Sequence, residues 1–431
     1  MNLRIGFLTE RMLLGFGVDL VVHQTAMRLL KMGFDVTVFS TRISDDFKDV
    51  DYKLENLSDH VAYTRDIFSL QFMTEAIRYL SQTNIDVWIC QTPPFYYWLP
   101  HLRPPVIMVE HGTPPGKFFD RRQGKHLDAY TRDRFENVYR TFRPGDGLVA
   151  ISNYIKSCLP SDVAQKCVTI HNGADHFPRA SLETAASFRA SLGLSPEHIM
   201  ILWVGRMEPA NDRQPYKGLR ELLEFAPVIS RSNDRIRMVA VGRAENDARP
   251  YLEKAGVMPV FNLPNDDMAA CYAAADVYIN TSRWEGFNLA LAEAQFQGTP
   301  VVAYNLCAHP EIVMSGNSGI LVSSRQEFIA AVTKIAADET LRKTLGTGAR
   351  KMSSRFTWDE NAERIGKLIR GCHEYASSQS FSLEVPARIR KNLRYYLVTA
   401  RNIYKREGAG VLIRELQGSF RRRIRKTDDS V

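Results

Sequence analysis

The chain has 431 residues, of which 45% are hydrophobic and 24% are charged. These proportions are typical of globular proteins and exclude a largely disordered chain or a coiled coil. The length suits two domains better than one. No stretch approaches the roughly 20 apolar residues that span a bilayer. Met1–Ile5 leads into a short apolar strand instead of a signal-peptide core, so we expect a cytoplasmic protein.

The six cysteines also bear on the cellular compartment. None of them forms a C-x-x-C pair, and they are scattered through apolar contexts. This pattern predicts buried, reduced thiols in a cytosolic protein and argues against disulfides or metal ligands.

Strand-like and helix-like segments alternate along the first 175 residues. Short β-branched runs predict strands, and Asp19–Met32 has apolar residues at helical spacing. The alternation predicts a parallel sheet with helices on both faces. The acidic stretch 44–55, which contains Asp49-Val50-Asp51, is interpreted as a solvated loop and not as a metal motif. The predicted strands are Leu3–Thr9, Phe34–Ser40, Asp86–Gln91, Val106–Glu110, Gly147–Ile151 and Cys167–His171.

The same alternation restarts after the polar stretch Pro178–Glu197. We therefore predict two Rossmann-like, doubly wound α/β domains, residues 1–175 and 176–356, that face each other across a cleft. A closing helix is predicted over residues 357–380 and a basic tail over 381–431. A ligand is expected between the domains, outside the carboxyl ends of the strands. The predicted strands are His198–Gly205, Ile236–Val241, Val260–Leu263, Val277–Thr281, Pro300–Ala303 and Gly319–Val322.

The most informative segment is 282–300, SRWEGFNLALAEAQFQGTP. Glu285 follows a predicted strand, Asn288 is a favourable N-cap residue, and Gly298 is a typical helix end. Glu293 then lies inside a helix that is unusually apolar for a surface helix, so its carboxylate needs a specific partner. The two carboxylates, on the order of 10 Å apart, suit two hydroxyl-bearing parts of one extended ligand. The backbone N–H groups of Phe287–Leu289 favour a phosphate between them. Two solvated glutamates on an ordinary helix are the alternative.

This segment resembles the E-x7-E signature of the retaining glycosyltransferase family 4, whose members have the two-domain GT-B fold. Other parts of the chain resemble motifs of that family in the same order. The resemblance covers roughly residues 1–372. The matching segments are Val109–Gly112, Val149–Ser152, Ile170–Asp175, Val204–Arg206 with Lys217-Gly218, and Tyr272–Val277.

The resemblance implies an enzyme that transfers a sugar from a nucleotide-diphosphate sugar to a glycan or lipid-linked acceptor. The first domain would form the acceptor side, and the second domain would bind the nucleotide sugar. The resemblance also implies four catalytic residues. They are Glu285 at the donor sugar, Arg206 and Lys217 at the diphosphate, and His111 near the transferred sugar.

Further donor-binding groups follow from the same resemblance. Glu293 would bind the ribose hydroxyls, and Leu263 would lie near the base. Backbone amides of Phe287, Asn288 and Leu289 would bind the distal phosphate. Because fixed cations and amides can stabilise a departing diphosphate, we expect no metal ion and no cofactor besides the donor substrate.

Some of these residues have ordinary structural alternatives. Taken by itself, the spacing of Arg206 and Lys217 would favour a surface pair, and His111 would be a structural histidine. The ten residues between Arg206 and Lys217 are more than the family usually has, and Arg243 stands where an acidic residue is common.

The loop after the first strand contains Gly15 and Gly17, which permit close backbone approach to a phosphate or an acceptor. Its spacing does not match a dinucleotide-binding motif.

The basic character of the chain is concentrated at its end. Thirteen Lys or Arg and four Asp or Glu lie in residues 388–431, whereas the formal charge of the whole chain is +8. Tyr, Leu and Ile alternate with these cations along Arg388–Lys426, which predicts a helix on an anionic membrane surface. We therefore expect peripheral attachment to the inner face of the membrane. A packed helix with a solvated basic face is the alternative, and no motif supports nucleic-acid binding.

Three other functions remain open from the sequence. A nucleotide-sugar epimerase and a phosphorylase can both use a similar scaffold. A catalytically silent GT-B protein recruited by its basic tail is the third. The E-x7-E segment with Arg206 and Lys217 argues against the epimerase. The presence of Glu285 and Glu293 together with Arg206 and His111 argues against the silent scaffold.

Overall fold

The computed structural model describes residues 2–62, 64, 66–103, 105–209, 212–244 and 248–378. Its first sheet has seven parallel strands in the order β3-β2-β1-β4-β5-β6-β7. Every residue of β4, β5 and β6 is buried, which explains their continuous apolar runs. The strands are β1 (Arg4–Thr9), β2 (Asp35–Ser40), β3 (Lys53–Asn56), β4 (Val87–Cys90), β5 (Val106–Glu110), β6 (Gly147–Ala150) and β7 (Cys167–Thr169), and the helices are α1 (Gly17–Lys31), α2 (Leu70–Leu80), α3 (Arg121–Asp133), α4 (Asn153–Ser157) and α5 (Ser161–Ala164).

The second sheet has six parallel strands in the order β10-β9-β8-β11-β12-β13. Its helices alternate with its strands along the chain. The strands are β8 (Ile199–Val204), β9 (Ile236–Gly242), β10 (Val257–Phe261), β11 (Val277–Asn280), β12 (Val301–Tyr304) and β13 (Gly319–Val322), and the helices are α6 (Leu182–Ser191), α7 (Leu219–Arg231), α8 (Arg249–Lys254), α9 (Met268–Ala274), α10 (Leu289–Gln297), α11 (His309–Ile312), α12 (Arg325–Ala337), α13 (Glu339–Ser353) and α14 (Trp358–Ser378).

Both sheets contain a point at which the strand order reverses. In the first sheet this point lies between β1 and β4, and in the second it lies between β8 and β11. In such sheets a ligand binds outside the carboxyl ends of the strands next to the reversal. The loop that contains Gly15 and Gly17 follows β1, Arg206 follows β8, and Glu285 follows β11. The topology therefore brings three predicted site segments to the two reversal points.

The chain crosses between the two domains twice. The first crossing is the segment between β7 and α6, and the second is the segment that leads from α13 into α14. The two crossings contact each other. In the first crossing, Ala174 N donates to Phe356 O at 2.9 Å, and in the second, Trp358 N donates to Asp175 Oδ1 at 2.8 Å. A Cβ on Gly173 would collide with the backbone of Trp358, so only glycine allows this approach. After the second crossing α14 packs against α1 of the first domain.

Several boundaries differ from those that the sequence predicts. Lys53–Asn56, predicted as part of a solvated loop, forms the edge strand β3, which pairs with β2. Strand β10 begins three residues earlier than predicted, at Val257, because Pro259 occupies an edge strand where its missing N–H is tolerated. Helix α1 begins at Gly17 and not at Asp19. Cys158 is exposed and Cys307 is only partly buried, so the prediction that all the thiols are buried is wrong for these two residues, although all six are free.

The predicted basic tail lies outside the described residues, as do the last two residues of the predicted closing helix. Among the described helices, none combines the length and the apolar character that crossing a bilayer requires.

Candidate functional site at the domain interface

The two domains meet at the loop that carries Glu285. Ser152 Oγ, at the start of α4, donates to the carbonyl oxygen of Gly286 at 2.6 Å. A Cβ on Gly286 would lie 2.5 Å from the carbonyl oxygen of His111, and one on Gly112 would lie 3.0 Å from the ring of Trp284. Gly286 thus permits contact with the backbone of the other domain, and Gly112 leaves room for the ring of Trp284. Glu285 and His111, predicted for one site, consequently lie in segments that touch.

Glu285 forms an ion pair with Lys217. Lys217 Nζ lies 3.0 Å from Oε1 and 2.9 Å from Oε2 of this carboxylate, which is only 5% exposed. Burial acts to lower the pKa of Lys217, but the carboxylate outweighs it and raises the pKa above its ordinary value. The ammonium group is therefore charged at neutral pH. Gly218 continues the chain in the left-handed region, at φ +77°, and its carbonyl accepts from Thr281 Oγ1 at 2.8 Å, which aligns the lysine with the end of β11.

Glu293 is the second buried carboxylate, and its partners are neutral. Tyr272 Oη donates to Oε2 at 2.7 Å, and His176 Nε2 lies 3.4 Å from Oε1. Burial raises the pKa of Glu293 to about 7 and lowers the pKa of His176 to about 3. Burial also raises the pKa of Tyr272 well above its ordinary value. Glu293 is therefore the member of this group that titrates near neutral pH.

The N-terminus of α10 lies between the two carboxylates in sequence. Asn288 adopts the left-handed conformation at φ +82°, and its side chain accepts from Leu291 N at 3.2 Å, so it is the predicted N-cap. Its amide nitrogen contacts Nε2 of His309, whose Nδ1 contacts the carbonyl of Tyr304 at 2.8 Å. A carbonyl can only accept, so His309 carries its proton on Nδ1 and accepts from Asn288.

The backbone amides at this helix end are oriented for a ligand. The N–H groups of Phe287, Asn288 and Leu289 donate to no acceptor within the ranges that the structure describes. A helix begins with such unpaired donors, and together with the helix dipole they favour an anion. A Cβ on Gly17 would lie 3.4 Å from Leu289 Cδ1. The structure thus brings the loop after β1 to the end of α10, as expected if both bind the donor.

Arg206 lies on the other side of the loop after β1. Its guanidinium carbon lies 4.5 Å from the ring centre of Phe16, in that loop. The guanidinium carbons of Arg11 and Arg243 lie 4.0 Å and 5.6 Å from the same ring centre. Three cations, one from the first domain and two from the second, therefore surround one aromatic ring at the interface. Such contacts are each worth roughly 0.5–2 kcal/mol.

The loop itself is anchored by a buried acid. Asp19, in the first turn of α1, accepts from Leu13 N at 2.9 Å and lies 3.3 Å from Arg11 Nε. Burial raises the pKa of Asp19 to about 6, and Arg11 partly opposes this rise. The carboxylate thereby fixes the backbone that carries Phe16.

His111 is hydrogen-bonded to Gln91, which follows β4. Nε2 of His111 lies 2.8 Å from Oε1 of Gln91, and because that oxygen only accepts, the imidazole proton is on Nε2 and Nδ1 is an acceptor. Burial lowers the pKa of His111 to about 4, so the ring is neutral near pH 7. His111 can therefore exchange hydrogen bonds with hydroxyl groups but does not add positive charge to the site.

Leu263 lies farther from Glu285 in the strand order than the other predicted site residues of the second domain. It is half-buried two residues after β10, the outermost strand of the second sheet. Strands β9 and β8 separate it from β11, which leads to Glu285. Its predicted place beside a base remains a prediction.

Two family models match the chain on either side of the first crossing. The model described as "Glycosyltransferase Family 4" matches residues 17–176. The model described as "Glycosyl transferases group 1" matches residues 185–352. The chain belongs to glycosyltransferase family 4. The prediction of the family is therefore confirmed.

Curated relatives of this glycosyltransferase align with part of its sequence. The D-inositol 3-phosphate glycosyltransferase of Streptomyces bingchenggensis is 32% identical over 206 residues, which is 45% of each chain. The enzyme of the same name from Corynebacterium kroppenstedtii is 30% identical over 213 residues, or 46% of each chain. The chain thus spans slightly under half the length of these relatives in the alignment.

Solved structures resemble it over most of its length. HepE from Anabaena, in complex with UDP and glucose, has a TM-score of 0.69 at 17% identity and matches 86% of this chain and 100% of its own. WaaG, a glycosyltransferase involved in lipopolysaccharide biosynthesis, has a TM-score of 0.67 at 15% identity and matches 85% and 100%. At these identities the likeness shows the fold, and the predicted GT-B architecture is confirmed.

Sequence reasoning missed several residues of the glycosyltransferase site. Tyr272 belongs to a segment that it identified, and His176 directly follows another, but no spacing indicated that either residue contacts Glu293. Phe16 lies between Gly15 and Gly17, but the sequence did not indicate its contacts with three arginines. The remaining missed residues, Gln91 and His309, have no signal in the linear sequence because each contacts a site residue about 20 positions away.

A pH series tests the raised pKa of Glu293 in the unliganded enzyme. The folded-state pKa of about 7 exceeds the ordinary value of 4.5. The raised pKa therefore makes a contribution to the free energy of unfolding that is fully present below pH 4.5, and this contribution is lost as the pH rises through about 7. We expect Glu293→Gln, which cannot ionise, to gain stability relative to the wild type by on the order of 2 kcal/mol between pH 5 and pH 8.

Melting temperatures of both proteins at pH 5, 6, 7 and 8 provide the measurement. Glu363→Gln, at an exposed position of α14, is the matched control and should show no such trend. A stability difference between Glu293→Gln and the wild type that stays constant over this range would contradict the pKa.

Proposed function

We propose that this glycosyltransferase is a retaining enzyme that transfers a sugar from a nucleotide-diphosphate sugar to a glycan or lipid-linked acceptor. The observation that carries the proposal is the convergence at one interface of the Glu285–Lys217 ion pair, the N-terminus of α10 and Arg206. A diphosphate needs cations and N–H donors, and a sugar needs a fixed carboxylate. The interface offers both.

The chemistry assigns a role to each group. Negative charge develops on the diphosphate as the bond to the anomeric carbon breaks, while the sugar acquires oxocarbenium character. Lys217, Arg206 and the amides of Phe287–Leu289 are oriented before the reaction and stabilise that charge. Glu285, fixed by Lys217, accepts hydrogen bonds from sugar hydroxyls. His111 approaches from the acceptor domain. Retention is proposed from the family resemblance, through same-face attack assisted by the leaving phosphate.

Glu293 is assigned to the ribose. It is buried inside the second domain, and Tyr272 already donates to one of its oxygens, so the carboxylate is fixed where vicinal hydroxyls can donate to it. UDP is the first nucleotide to test, because the structurally similar HepE was determined with UDP and with UDP-glucose.

Two substitutions separate the sugar carboxylate from the ribose carboxylate. We expect Glu285→Gln to leave the affinity for UDP within about threefold and to lower the release of UDP from UDP-glucose by on the order of 10²–10³. Glu293→Gln should weaken the binding of UDP itself, because UDP contains the ribose. Calorimetry with UDP and a donor-hydrolysis assay measure the two effects, with Glu363→Gln as the control.

Equal losses of UDP affinity in both variants would contradict the assignment. Donor hydrolysis also separates the competing functions. A silent scaffold would bind the nucleotide without turnover, an epimerase would interconvert sugars without releasing UDP, and a phosphorylase would require inorganic phosphate.

We also propose that the reaction needs no metal ion. Among the residues described by the structure, no three His, Cys, Asp or Glu side chains form a group able to hold one, and Asp49 and Asp51 are both exposed. Cationic side chains and amides supply the charge that a metal would otherwise provide. We expect UDP release from UDP-glucose to persist at half its rate or more in excess EDTA. Loss of activity in EDTA that Mn²⁺ or Mg²⁺ restores would refute this expectation.

A third part of the proposal concerns the basic tail and rests on the sequence of the tail alone. We propose that Arg388–Lys426 attaches the enzyme to anionic lipid on the inner face of the membrane. Replacement of Arg421, Arg422 and Arg423 by Glu should reduce co-sedimentation with phosphatidylglycerol vesicles at least tenfold, because each cation near the surface contributes about 1 kcal/mol. Replacement of the exposed Lys334, Lys343 and Lys351 by Glu makes the same charge change in the body of the protein.

This body variant should bind the vesicles as the wild type does. If both triple variants lose binding equally, the attraction belongs to the overall charge and not to the tail. If the wild type ignores anionic vesicles at low salt, the membrane proposal is wrong.

A further inference from the structure

His176 connects the donor site to the crossings between the domains. It lies in the first crossing, and its side chain is only 2% exposed. Its Nδ1 lies 3.2 Å from Nε1 of Trp358, at the start of α14. An indole nitrogen can only donate, so Nδ1 of His176 is the acceptor and carries no proton. Burial lowers the pKa of His176 to about 3. The ring is therefore neutral, and its one proton is on Nε2.

The nitrogen that carries this proton lies beside Glu293 of the candidate donor site. Nε2 of His176 lies 3.4 Å from Oε1 of Glu293 and has no hydrogen-bond partner within the described part of the chain. The distance is longer than the usual 2.7–3.2 Å of a hydrogen bond. Tyr272 donates to the other oxygen of Glu293 at 2.7 Å. The tautomer that Trp358 imposes thus places the ring proton on the nitrogen that lies beside the less satisfied oxygen of the same carboxylate.

From these contacts we propose that His176 is a positioning residue for Glu293 and links recognition of the ribose to the two interdomain crossings. The inference rests on the proposed function, in which Glu293 binds the ribose. His176 does not itself contact the nucleotide. Its N–H fixes the orientation of the carboxylate and favours the ionised form that accepts hydroxyl hydrogens, because a donor stabilises a buried carboxylate.

The link to the crossings follows from the bonds of Trp358. Its backbone N–H donates to Asp175, the residue next to His176, at 2.8 Å, while its side chain donates to the ring of His176. A rotation of one crossing relative to the other therefore changes the position or the tautomer of His176. Either change alters the donor that Glu293 receives, so nucleotide binding and the relative position of the domains affect each other reciprocally.

The test compares UDP with 2′,3′-dideoxy-UDP, which lacks both ribose hydroxyls. His176→Phe keeps an aromatic ring but removes both the Nε2 N–H and the acceptor of Trp358. We expect this variant to bind UDP about tenfold more weakly, the loss typical of one hydrogen bond to a charged group, and to bind the dideoxy nucleotide as the wild type does. His176→Gln, whose amide can donate near the position of Nε2, should recover part of the UDP affinity. Trp358→Phe removes the indole donor and should also weaken UDP selectively.

The controls separate this inference from the function on which it rests. His101→Phe replaces a half-buried histidine of the first domain and should bind both nucleotides normally, and melting temperatures identify any variant that is not folded. His176→Gln provides a second test if the phenylalanine variant fails to fold. If His176→Gln binds UDP no better than His176→Asn does, the role of the His176 donor is contradicted.

Each other outcome has a definite meaning. If the wild-type enzyme binds UDP and the dideoxy nucleotide equally, the ribose role of Glu293 fails and the inference fails with it. The same conclusion follows if the enzyme binds neither of these nucleotides and neither GDP nor its dideoxy form. If Glu293→Gln abolishes the discrimination but His176→Phe retains it, only the role of His176 is overturned. If Trp358→Phe keeps full discrimination, the link to the second crossing is overturned.

Discussion

A buried carboxylate is tolerated only with a partner, and this constraint organises the second domain around two glutamates. The chain satisfies it in two different ways within nine residues. Glu285 receives a cation, Lys217, from the loop before α7. Glu293 accepts from the neutral Tyr272 of α9 and lies 3.4 Å from the neutral His176 of the first crossing, and its pKa rises to about 7. One carboxylate is thus paired with a cation, and the other responds to what binds it. The two environments suit two parts of one ligand.

Contact between the domains depends on small residues at the same interface. Gly286 allows the two backbones to approach, Gly112 leaves room for the ring of Trp284, and Ser152 bonds across the interface. Nearby, Glu311 of α11 accepts from the backbone amides of Asn153 and Tyr154 at 2.8 Å and 2.7 Å, so a carboxylate of one domain caps a helix of the other. These contacts hold His111 beside the loop of Glu285. The geometry of the candidate site is therefore a property of the pair of domains and not of either one.

The sequence was sufficient for the parts of the fold that depend on local patterns. Alternating apolar strands and amphipathic helices predicted two parallel sheets, and the Asn288 cap and Gly298 stop correctly bounded α10. Strand β3 was missed because an edge strand needs little apolar surface, and Lys53–Asn56 is a polar segment. Within the site, the residue types were predictable but their pairing was not. Lys217 reaches Glu285 across 68 positions, and only the strand order, which local patterns do not contain, brings them together.

The cluster around Phe16 shows how these constraints act together. Guanidinium groups repel one another, yet those of Arg11, Arg206 and Arg243 all lie within 6 Å of one ring centre. The negative face of the ring offsets part of that repulsion, and Asp19 neutralises part of the charge of Arg11. The remaining positive potential lies where the loop after β1 meets the end of β8, so it attracts an anion before contact is made. Because Arg11 comes from one domain and Arg206 and Arg243 from the other, an anion bound there reduces repulsion across the interface. Binding a diphosphate and holding the domains together are then favoured by the same charges.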